Sequence, residues 1–198
     1  MYIYIKKFWF DKISVRGISG YMLNEFKSFL DNKYLLLASS NFPQRFLITK
    51  ASQPRKEIFR QEGLEIKTMD SKFVEDLDKS SFKTPTDYVK ATANGKLHAS
   101  IEILETSGEK MPDILIASDT INVKDGVIYE KPKDAEAHRA NLRLFSEDFI
   151  ECVTSVQVCF IVSGNKSFYD DVQVTKVHFK ELDENAIDNY ITKHPDTS

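Results

Sequence analysis

The sequence has few of the residues that crosslink a small protein or hold a zinc ion. It contains two cysteines and four histidines in 198 residues, without the spacing of a Cys/His metal site. Cys152 and Cys159 are seven positions apart in a predicted strand, so their side chains face opposite sides and cannot form a local disulfide. We therefore expect a protein of a reducing compartment, the cytoplasm.

Long apolar runs and an excess of positive charge are also missing. No stretch reaches the roughly 18 consecutive apolar residues that a transmembrane helix needs, so we expect no membrane span. The formal net charge is −3, which provides no overall positive field for nucleic acid or an anionic membrane. Any phosphate binding must therefore depend on a few well-placed lysine and arginine side chains.

The length and composition indicate one globular domain preceded by an extension. Hydrophobic residues make up 41% and charged residues 29% of the chain, as in ordinary globular domains, and 198 residues suffice for one core. Residues 1–33 begin with an aromatic and basic stretch, without a small-residue cleavage site after an apolar segment. We expect them to lie outside the main domain, residues 34–198, rather than to form a targeting segment.

The first half of that domain alternates short apolar runs with helical patterns. Tyr34–Ala38 is typical of a short buried strand, and residues 64–69 of another. Between them, Pro54 suits the first turn of a helix that Gly63 would end.

A longer helix is predicted to begin after Thr84. Thr84 is an N-cap, Pro85 suits the first helical position and Asp87 completes a capping box. Gly95 disfavours this helix by about 1 kcal/mol. The apolar positions that recur at helical spacing are Val89, Ala93, Leu97, Ile101 and Leu104.

The second half is richer in predicted strands. Asp113–Ala117 is a continuous apolar run ending in Ser118-Asp119-Thr120, and Asp125-Gly126 predicts a two-residue hairpin. The remaining predicted elements are a helix from Asp134 to Phe145, strands at 151–162 and 172–179, and a last helix capped by Asp183. Because strands and helices alternate, we expect an α/β fold with a mixed sheet flanked by helices.

Asp119 and Lys131 are the first candidate functional residues. An acid following a buried strand lies where open α/β sheets bind ligands, although a turn-forming aspartate is the commoner explanation. The hairpin register places Asp119 opposite Pro132 and on the other face from Lys131. Because proline cannot extend the ladder, the pairing can end early and free Lys131, which is otherwise an ordinary exposed lysine.

Lys96, Arg55 and Lys56 are the other basic candidates. Lys96 lies about 20° outside the apolar stripe of its helix, where it faces either a cleft or solvent. Arg55 and Lys56 lie at a helix N-terminus, whose free N–H groups favour an anion, but a solvated first turn explains them equally well.

Taken in order, these segments resemble the Maf family of nucleotide pyrophosphatases over residues 34–198, and most closely its eukaryotic dTTP/UTP-preferring branch. The similar motifs are Leu35-Leu-Leu-Ala-Ser39, Ala51-Ser-Gln-Pro-Arg-Lys-Glu-Ile58, Ser71-Lys-Phe-Val-Glu-Asp-Leu-Asp-Lys79, Thr84-Pro-Thr-Asp-Tyr-Val89, Gly95-Lys96, Ile116-Ala-Ser-Asp-Thr120, Tyr129-Glu-Lys-Pro132 and His194-Pro-Asp196. The resemblance implies a fold related to inosine triphosphate pyrophosphatases, hydrolysis of a nucleoside triphosphate to the monophosphate and pyrophosphate, and a homodimer.

The resemblance also implies roles for individual residues. Asp119 would prepare the attacking water, while Lys96 and Lys131 would neutralise charge on the phosphates. A Mg²⁺ ion or another divalent cation would be held by Asp119 and Glu75. The substrate-binding residues would be Ser52, Arg55 and Lys56.

Three departures from the family pattern lead to further expectations. The family runs from its first strand directly into Ser-x-Pro-Arg, so residues 40–50 are expected to be an insertion, with Ser39–Arg45 an alternative phosphate turn to Ser52–Arg55. The family's Leu-Ser-Gly-Arg reads Phe145-Ser-Glu-Asp148, which reverses a local charge. The family continues beyond Ser198 through another strand and helix, so we expect the domain to be incomplete at its C-terminus.

These departures keep two functions from different classes open. The first is a pyrophosphatase acting on dTTP- or UTP-type nucleotides. The alternative is a catalytically inactive relic that serves as a nucleotide-binding or interaction module. A purine-specific enzyme is a third hypothesis and differs from the first only in the base.

Overall fold

A computed structural model describes residues 45–49, 55–56, 59–60 and 65–193. The strands are β1 (Phe46–Thr49), β2 (Ile66–Met69), β3 (Ile114–Lys124), β4 (Val127–Tyr129), β5 (Phe149–Val162) and β6 (Asn165–His178). The helices are α1 (Pro85–Ser107), α2 (Ala135–Phe145) and α3 (Glu184–Lys193), and residues 55, 56, 59 and 60 belong to a further helical segment. The N-terminal extension, the predicted strand Tyr34–Ala38 and Ser52 lie outside the described residues.

All six strands form one mixed sheet in the order β2-β1-β3-β5-β6, with β4 also paired to β3. β1 is parallel to both β2 and β3, whereas β3, β5 and β6 are antiparallel neighbours. Helix α1 packs on one face of the sheet against β3 and β5. The predicted α/β class with a mixed sheet and flanking helices is confirmed.

β1 corrects the expectation of an insertion at residues 40–50. Phe46–Thr49 is a strand, and it pairs with residues 66–69 on one side and 114–116 on the other. Phe46 and Ile48 point into the core at 5% and 1% exposure. Four apolar and β-branched residues in a row are typical of a buried parallel strand. The run is so short that only Tyr34–Ala38 was predicted as the first strand. The chain thus runs from a strand towards Arg55 without a lengthened loop over residues 46–49.

β3 is longer than predicted. The apolar run at residues 113–117 and the hairpin arm at 121–124 form one strand of 11 residues, Ile114–Lys124. Asp119 is therefore in the middle of a strand rather than at its end. The hairpin itself is confirmed, because Asp125 and Gly126 both have positive φ, 51° and 77°, as a two-residue type I′ turn requires.

Helix α1 begins and packs as predicted. The Oγ1 atom of Thr84 accepts a hydrogen bond from the backbone N–H of Asp87 at 3.1 Å. The helix runs for 23 residues to Ser107, and Gly108 is its C-cap. The buried positions include the whole predicted stripe: Val89, Ala93, Leu97, Ile101 and Leu104. Burial of this stripe outweighs the low helix propensity of Gly95.

We expect Thr84→Ala to lower the free energy of unfolding by about 1 kcal/mol, because an N–H in the first turn of α1 loses its partner. Thr84→Ser keeps the accepting hydroxyl and is expected to stay close to the wild type. Chemical denaturation of the three proteins measures the difference. Equal stability of the alanine and serine variants would contradict a capping role.

The C-terminal elements differ from expectation mainly in length. β6 begins at Asn165 rather than at residue 172, and its first six residues are exposed. Because it is an edge strand with one solvated face, its polar start shows no apolar alternation. The last helix follows the predicted cap, since Asp183 accepts from the N–H of Ala186 at 2.7 Å. Leu182 and Ile187 flank this cap within one buried cluster.

The two cysteines are buried and unbridged. Cys152 Sγ donates to Oδ1 of Asn122, whereas Cys159 packs in the α1 cluster, so the two thiols face opposite sides of β5 as predicted. Burial raises the pKa of Cys152 to about 12, so this thiol is not a ready nucleophile. None of the described helices is long and apolar enough to cross a membrane.

Candidate active site

A gap in the sheet exposes one edge of β3. β5 pairs with residues 114–123 along one edge of β3. On the other edge, β1 pairs with residues 114–116 and β4 with residues 122–124. Within the described part of the chain, residues 117–121 have no strand partner on that second edge. Asp119 is at the centre of this gap.

Elements on both faces of the sheet flank the gap. Leu115 and Ala117 pack against α1, and because side chains alternate along a strand, Asp119 also faces α1. Phe59, from the helical segment after β1, packs on the opposite face with the cluster of Ile114 and Ile116. The chain leaves β1 towards β2 and then returns past β1 to β3. Such a reversal at the carboxyl ends of parallel strands is where α/β sheets bind ligands.

Lys96 joins two carboxylates at this gap. Its Nζ lies 2.8 Å from Oδ1 of Asp119 on β3 and 2.8 Å from Oε2 of Glu75, which is on the segment before α1. Because both oxygens contact the same Nζ atom, the distance between them is at most twice 2.8 Å. The side chains of Lys96 and Asp119 are only 12% and 15% exposed, whereas that of Glu75 is 48% exposed. Lys96 is therefore largely shielded from solvent by its two partners, which argues against the solvent-facing alternative left open by the sequence.

Arg55 reaches the same gap from the helical segment after β1. Its guanidinium donates to Oγ1 of Thr120 at 3.1 Å and to the backbone carbonyl of Ser118 at 3.5 Å. Burial lowers the pKa of Arg55, and the nearby charges of Asp119 and Glu75 act in the opposite direction. The group stays cationic at neutral pH because a guanidinium is not deprotonated in proteins. A half-buried cation thus lies beside the Lys96 cluster.

A pair of threonine hydroxyls supports Arg55. Thr120 Oγ1, which accepts from Arg55, lies 2.9 Å from Oγ1 of Thr154 on β5. Thr120 and Thr154 are directly opposite each other in the antiparallel register. Because Thr120 accepts from the guanidinium, its own proton is available for Thr154. The neighbouring strand therefore helps to orient the arginine.

We expect Thr154→Val to loosen Arg55 through the loss of one hydrogen bond of about 1 kcal/mol, and to raise about threefold to tenfold the KM for the nucleotide that the family resemblance implies. Valine keeps the shape of the side chain, so the fold should remain. Thr154→Ser retains the hydroxyl and is expected to behave as the wild type. Steady-state kinetics of the pair provides the measurement, and an unchanged KM in the valine variant would refute the support of Arg55 by Thr154.

The structure separates the two alternatives for the phosphate turn. Arg45 starts β1 at its amino end, where its backbone N–H donates to Oδ2 of Asp113 at 2.7 Å. It therefore lies at the opposite end of the parallel strands from Asp119. Arg55 lies at the gap, which supports the preferred alternative, Ser52–Arg55. Lys56 is the next helical residue and is half-buried.

Lys131 is close to the gap in the chain path but does not join the ion-pair cluster. β4 ends at Tyr129, opposite Asn122, so strand pairing stops before Lys131 as predicted. Lys131 follows β4 by two residues and is exposed. Among the described residues, its ammonium has no ion-pair partner. Lys131 is thus available to an incoming anion.

The charge reversal at Glu147-Asp148 is compensated within the fold. Asp148 forms an ion pair with Lys124 of β3, whose side chain is 8% exposed, and this contact lowers the pKa of Asp148. Glu147 has a positive φ of 60°, a conformation that glycine adopts without strain. The substitution therefore creates a local ion pair at the far end of β3, next to the hairpin.

Some residues at the site carry no signal in the sequence. Thr120 and Thr154 are ordinary strand residues, and they meet Arg55 only because β3 and β5 pair in this register. Glu75 lies in a segment without helix or strand, so periodicity says nothing about it. Only the resemblance to a family identified Glu75 in advance, and the alternation of buried and exposed positions could not have done so.

The donor set fits a hard cation that shares its coordination with phosphate. Mg²⁺ binds through one or two carboxylates together with phosphate oxygens and water. Asp119 and Glu75 present two carboxylates to one ammonium. The described ranges contain no group of three or more His, Cys, Asp or Glu side chains able to hold a metal ion by itself. The chemistry of these two carboxylates is thus compatible with a divalent cation that shares its coordination with phosphate.

Fold and site together define an α/β protein in which acidic and basic side chains meet at a gap in the sheet, an arrangement suited to a polyanion and a divalent cation. The sequence profile of the family described as Maf-like protein matches residues 45–197. This chain belongs to the Maf-like family, and the predicted family membership is confirmed.

Similar proteins include eukaryotic members. A nucleoside triphosphate pyrophosphatase of Dictyostelium discoideum is 34% identical over 153 residues, covering 74% of this chain and 68% of the relative. A probable bifunctional dTTP/UTP pyrophosphatase/methyltransferase protein of Homo sapiens is 34% identical over 156 residues, 75% of this chain and 24% of the relative. A dTTP/UTP pyrophosphatase of Schizosaccharomyces pombe is 39% identical over 101 residues, 50% of this chain and 42% of the relative. The chain thus spans less than half the length of the last two.

Proposed function

We propose that this protein is a nucleoside triphosphate pyrophosphatase that converts dTTP- or UTP-type nucleotides to the monophosphate and pyrophosphate. The observation that carries the proposal is the contact of Lys96 with both Asp119 and Glu75, 2.8 Å each, at the gap beside β3. The names of the relatives from Schizosaccharomyces pombe and Homo sapiens support the pyrimidine preference.

The charges of the cluster suit the binding of a triphosphate together with a cation. Without ligand, Lys96 balances the two carboxylates, and Arg55 is held by Thr120 and the Ser118 carbonyl. Asp119 and Glu75 would hold a divalent cation, which would supply the positive charge that Lys96 gives them in the free protein. Lys96 would then be available to pair with a phosphate oxygen, with Arg55 and the exposed Lys131 on neighbouring elements. In the free protein, these cationic side chains thus already lie where the phosphates of a bound polyanion would be.

The cation that fits this donor set is Mg²⁺, held by Asp119 and Glu75. When bound, it supplies positive charge on the phosphates and lowers the pKa of a coordinated water. The proposal predicts that the carboxylates alone bind it weakly, because both contribute only part of an oxygen coordination sphere.

Residues of the protein itself carry out proton transfer, charge neutralisation and phosphate binding. Asp119 accepts the proton of the water that attacks the α-phosphorus. Its side chain is surrounded by protein and has little contact with bulk water. The bond between the α-phosphorus and the bridging oxygen breaks, and pyrophosphate leaves with the electron pair. Lys96, Lys131 and Arg55 neutralise the charge that develops on the leaving group, while Ser52 and Lys56 complete phosphate binding.

Competition among UTP, dTTP, ITP and 7-methyl-GTP tests the base preference. The purified full chain is incubated with Mg²⁺ and each pair of nucleotides, and the monophosphates are quantified. We expect UTP and dTTP to be consumed first. The formation of every monophosphate should stop when EDTA removes the metal. Preferred consumption of ITP would instead identify a purine enzyme, and binding without turnover of any nucleotide would identify an inactive binding module.

A further inference from the structure

The Phe73 ring packs so closely on Gly95 that a side chain at position 95 would clash with it. A Cβ atom built on Gly95 would lie 2.4 Å from both Cε2 and Cζ of Phe73. Gly95 is in the interior of α1, where glycine is a poor helix former. The aromatic ring therefore occupies the space of a side chain at position 95. This close approach gives a structural reason for a glycine in the middle of a long helix.

Phe73 belongs to the segment that carries Glu75. Residues 70–78 form neither helix nor strand and pass beside α1. On one side of Glu75, the Phe73 ring lies against Gly95, and on the other side Leu77 packs with Tyr88 of α1. Glu75 itself is half-exposed and contacts Lys96, the residue directly after Gly95. The ring is thus a packing contact close in the chain to both partners of the ion pair, two residues before Glu75 and against the residue that precedes Lys96.

We propose that Gly95 is a positioning residue for Glu75. The missing side chain lets Phe73 approach the backbone of α1, and this approach places the Glu75 carboxylate within 2.8 Å of Lys96 and beside Asp119. The inference rests on the proposed function, in which Glu75 and Asp119 hold the cation. It adds that the cation site depends on a residue that contacts neither cation nor substrate.

Gly95→Ala tests the proposal in the full-length protein. The added methyl group must push the Phe73 ring outward, so we expect hydrogen exchange in residues 71–79 to become at least about tenfold faster. The Mg²⁺ concentration for half-maximal activity should rise about tenfold to 100-fold, as for lost supporting contacts at metal sites. The KM for the nucleotide at saturating Mg²⁺ should change little. Asn94→Ala, at an exposed helical position, is the matched control and should leave all three values unchanged.

A second substitution distinguishes positioning from a general loss of structure. Leucine lacks the Cε2 and Cζ atoms that meet the new methyl group, so Gly95→Ala/Phe73→Leu should recover most of the exchange protection and Mg²⁺ dependence. The proposal is overturned if Gly95→Ala matches the wild type, or if the double variant is no better than Gly95→Ala. An inactive wild type would refute the proposed function, whereas the exchange measurement would still decide the role of Gly95.

Discussion

Asp119→Asn is expected to lower kcat for UTP or dTTP hydrolysis by about 10³-fold, within the range observed for loss of a general base. Asparagine has nearly the same shape but cannot accept the proton of water, and it is a weak ligand for Mg²⁺. Asp119 is 15% exposed and contacts Lys96, so the substitution also removes one of the two anions that orient this lysine. Single-turnover kinetics at saturating Mg²⁺ measures the effect.

Asp113→Asn is the matched control for this substitution. Asp113 directly precedes β3 and contacts Arg45 at the opposite end of the parallel strands. The same change of charge at this position should alter stability slightly and kcat by less than about twofold, since surface ion pairs contribute little. Equal losses in the Asp113 and Asp119 variants, or wild-type kcat in Asp119→Asn, would remove Asp119 from the mechanism.

Lys96→Met is expected to have the second largest effect, with a loss in kcat of about 10²–10³-fold because a cation aimed at the developing charge is gone. It should also lower the free energy of unfolding by about 2–3 kcal/mol, since Asp119 keeps a largely buried charge without its partner. Methionine retains most of the aliphatic packing of lysine. Kinetics and chemical denaturation of the same preparation separate the two effects.

Lys90→Met provides the comparison on the same helix. Lys90 pairs with Asp170 at 2.6 Å, but both side chains are more than 40% exposed. Such a pair contributes about 0–1 kcal/mol, so this variant should be nearly as stable and as active as the wild type. If Lys96→Met were equally mild, the contact of Lys96 with two carboxylates would have no functional meaning.

Local sequence patterns predicted the elements whose ends and buried faces are determined by residues a few positions apart. Thr84 with Pro85 predicted the start of α1, and the apolar stripe predicted its buried face. Asp125-Gly126 predicted the hairpin with its register. In each case the interacting residues are a few positions apart, so no knowledge of the tertiary fold is needed.

The elements that were missed depend on distant partners. β1 has only four residues and is a strand because β2 and β3 pair with its two edges. β3 passes through the polar residues Ser118, Asp119 and Thr120 because β5 pairs with it on one edge over 114–123. Sequence periodicity interprets such a polar interruption as the end of a strand. The sequence therefore placed Asp119 at the end of a strand, whereas it lies within β3.

The candidate site likewise combines residues that the sequence indicated with residues that only the tertiary fold brings to it. Asp119, Lys96 and Arg55 were selected individually on weak signals, and the structure brings them together at one gap. Their roles in catalysis stay predictions. The supporting residues Thr154, Phe73 and Gly95 act through contacts across 22 or more positions of the chain, such as the 34 positions between Thr120 and Thr154. Neighbouring residues in the sequence contain no information about such contacts.

The products formed from UTP test the central claim most directly. Phosphorus NMR of a reaction with the full chain, UTP and Mg²⁺ distinguishes the bond that is cut. The account predicts UMP and pyrophosphate in equal amounts, with no UDP at any time, and formation of the same products about 10³-fold more slowly in Asp119→Asn. Formation of UDP and inorganic phosphate, or no product from any triphosphate with the wild-type protein, would contradict it.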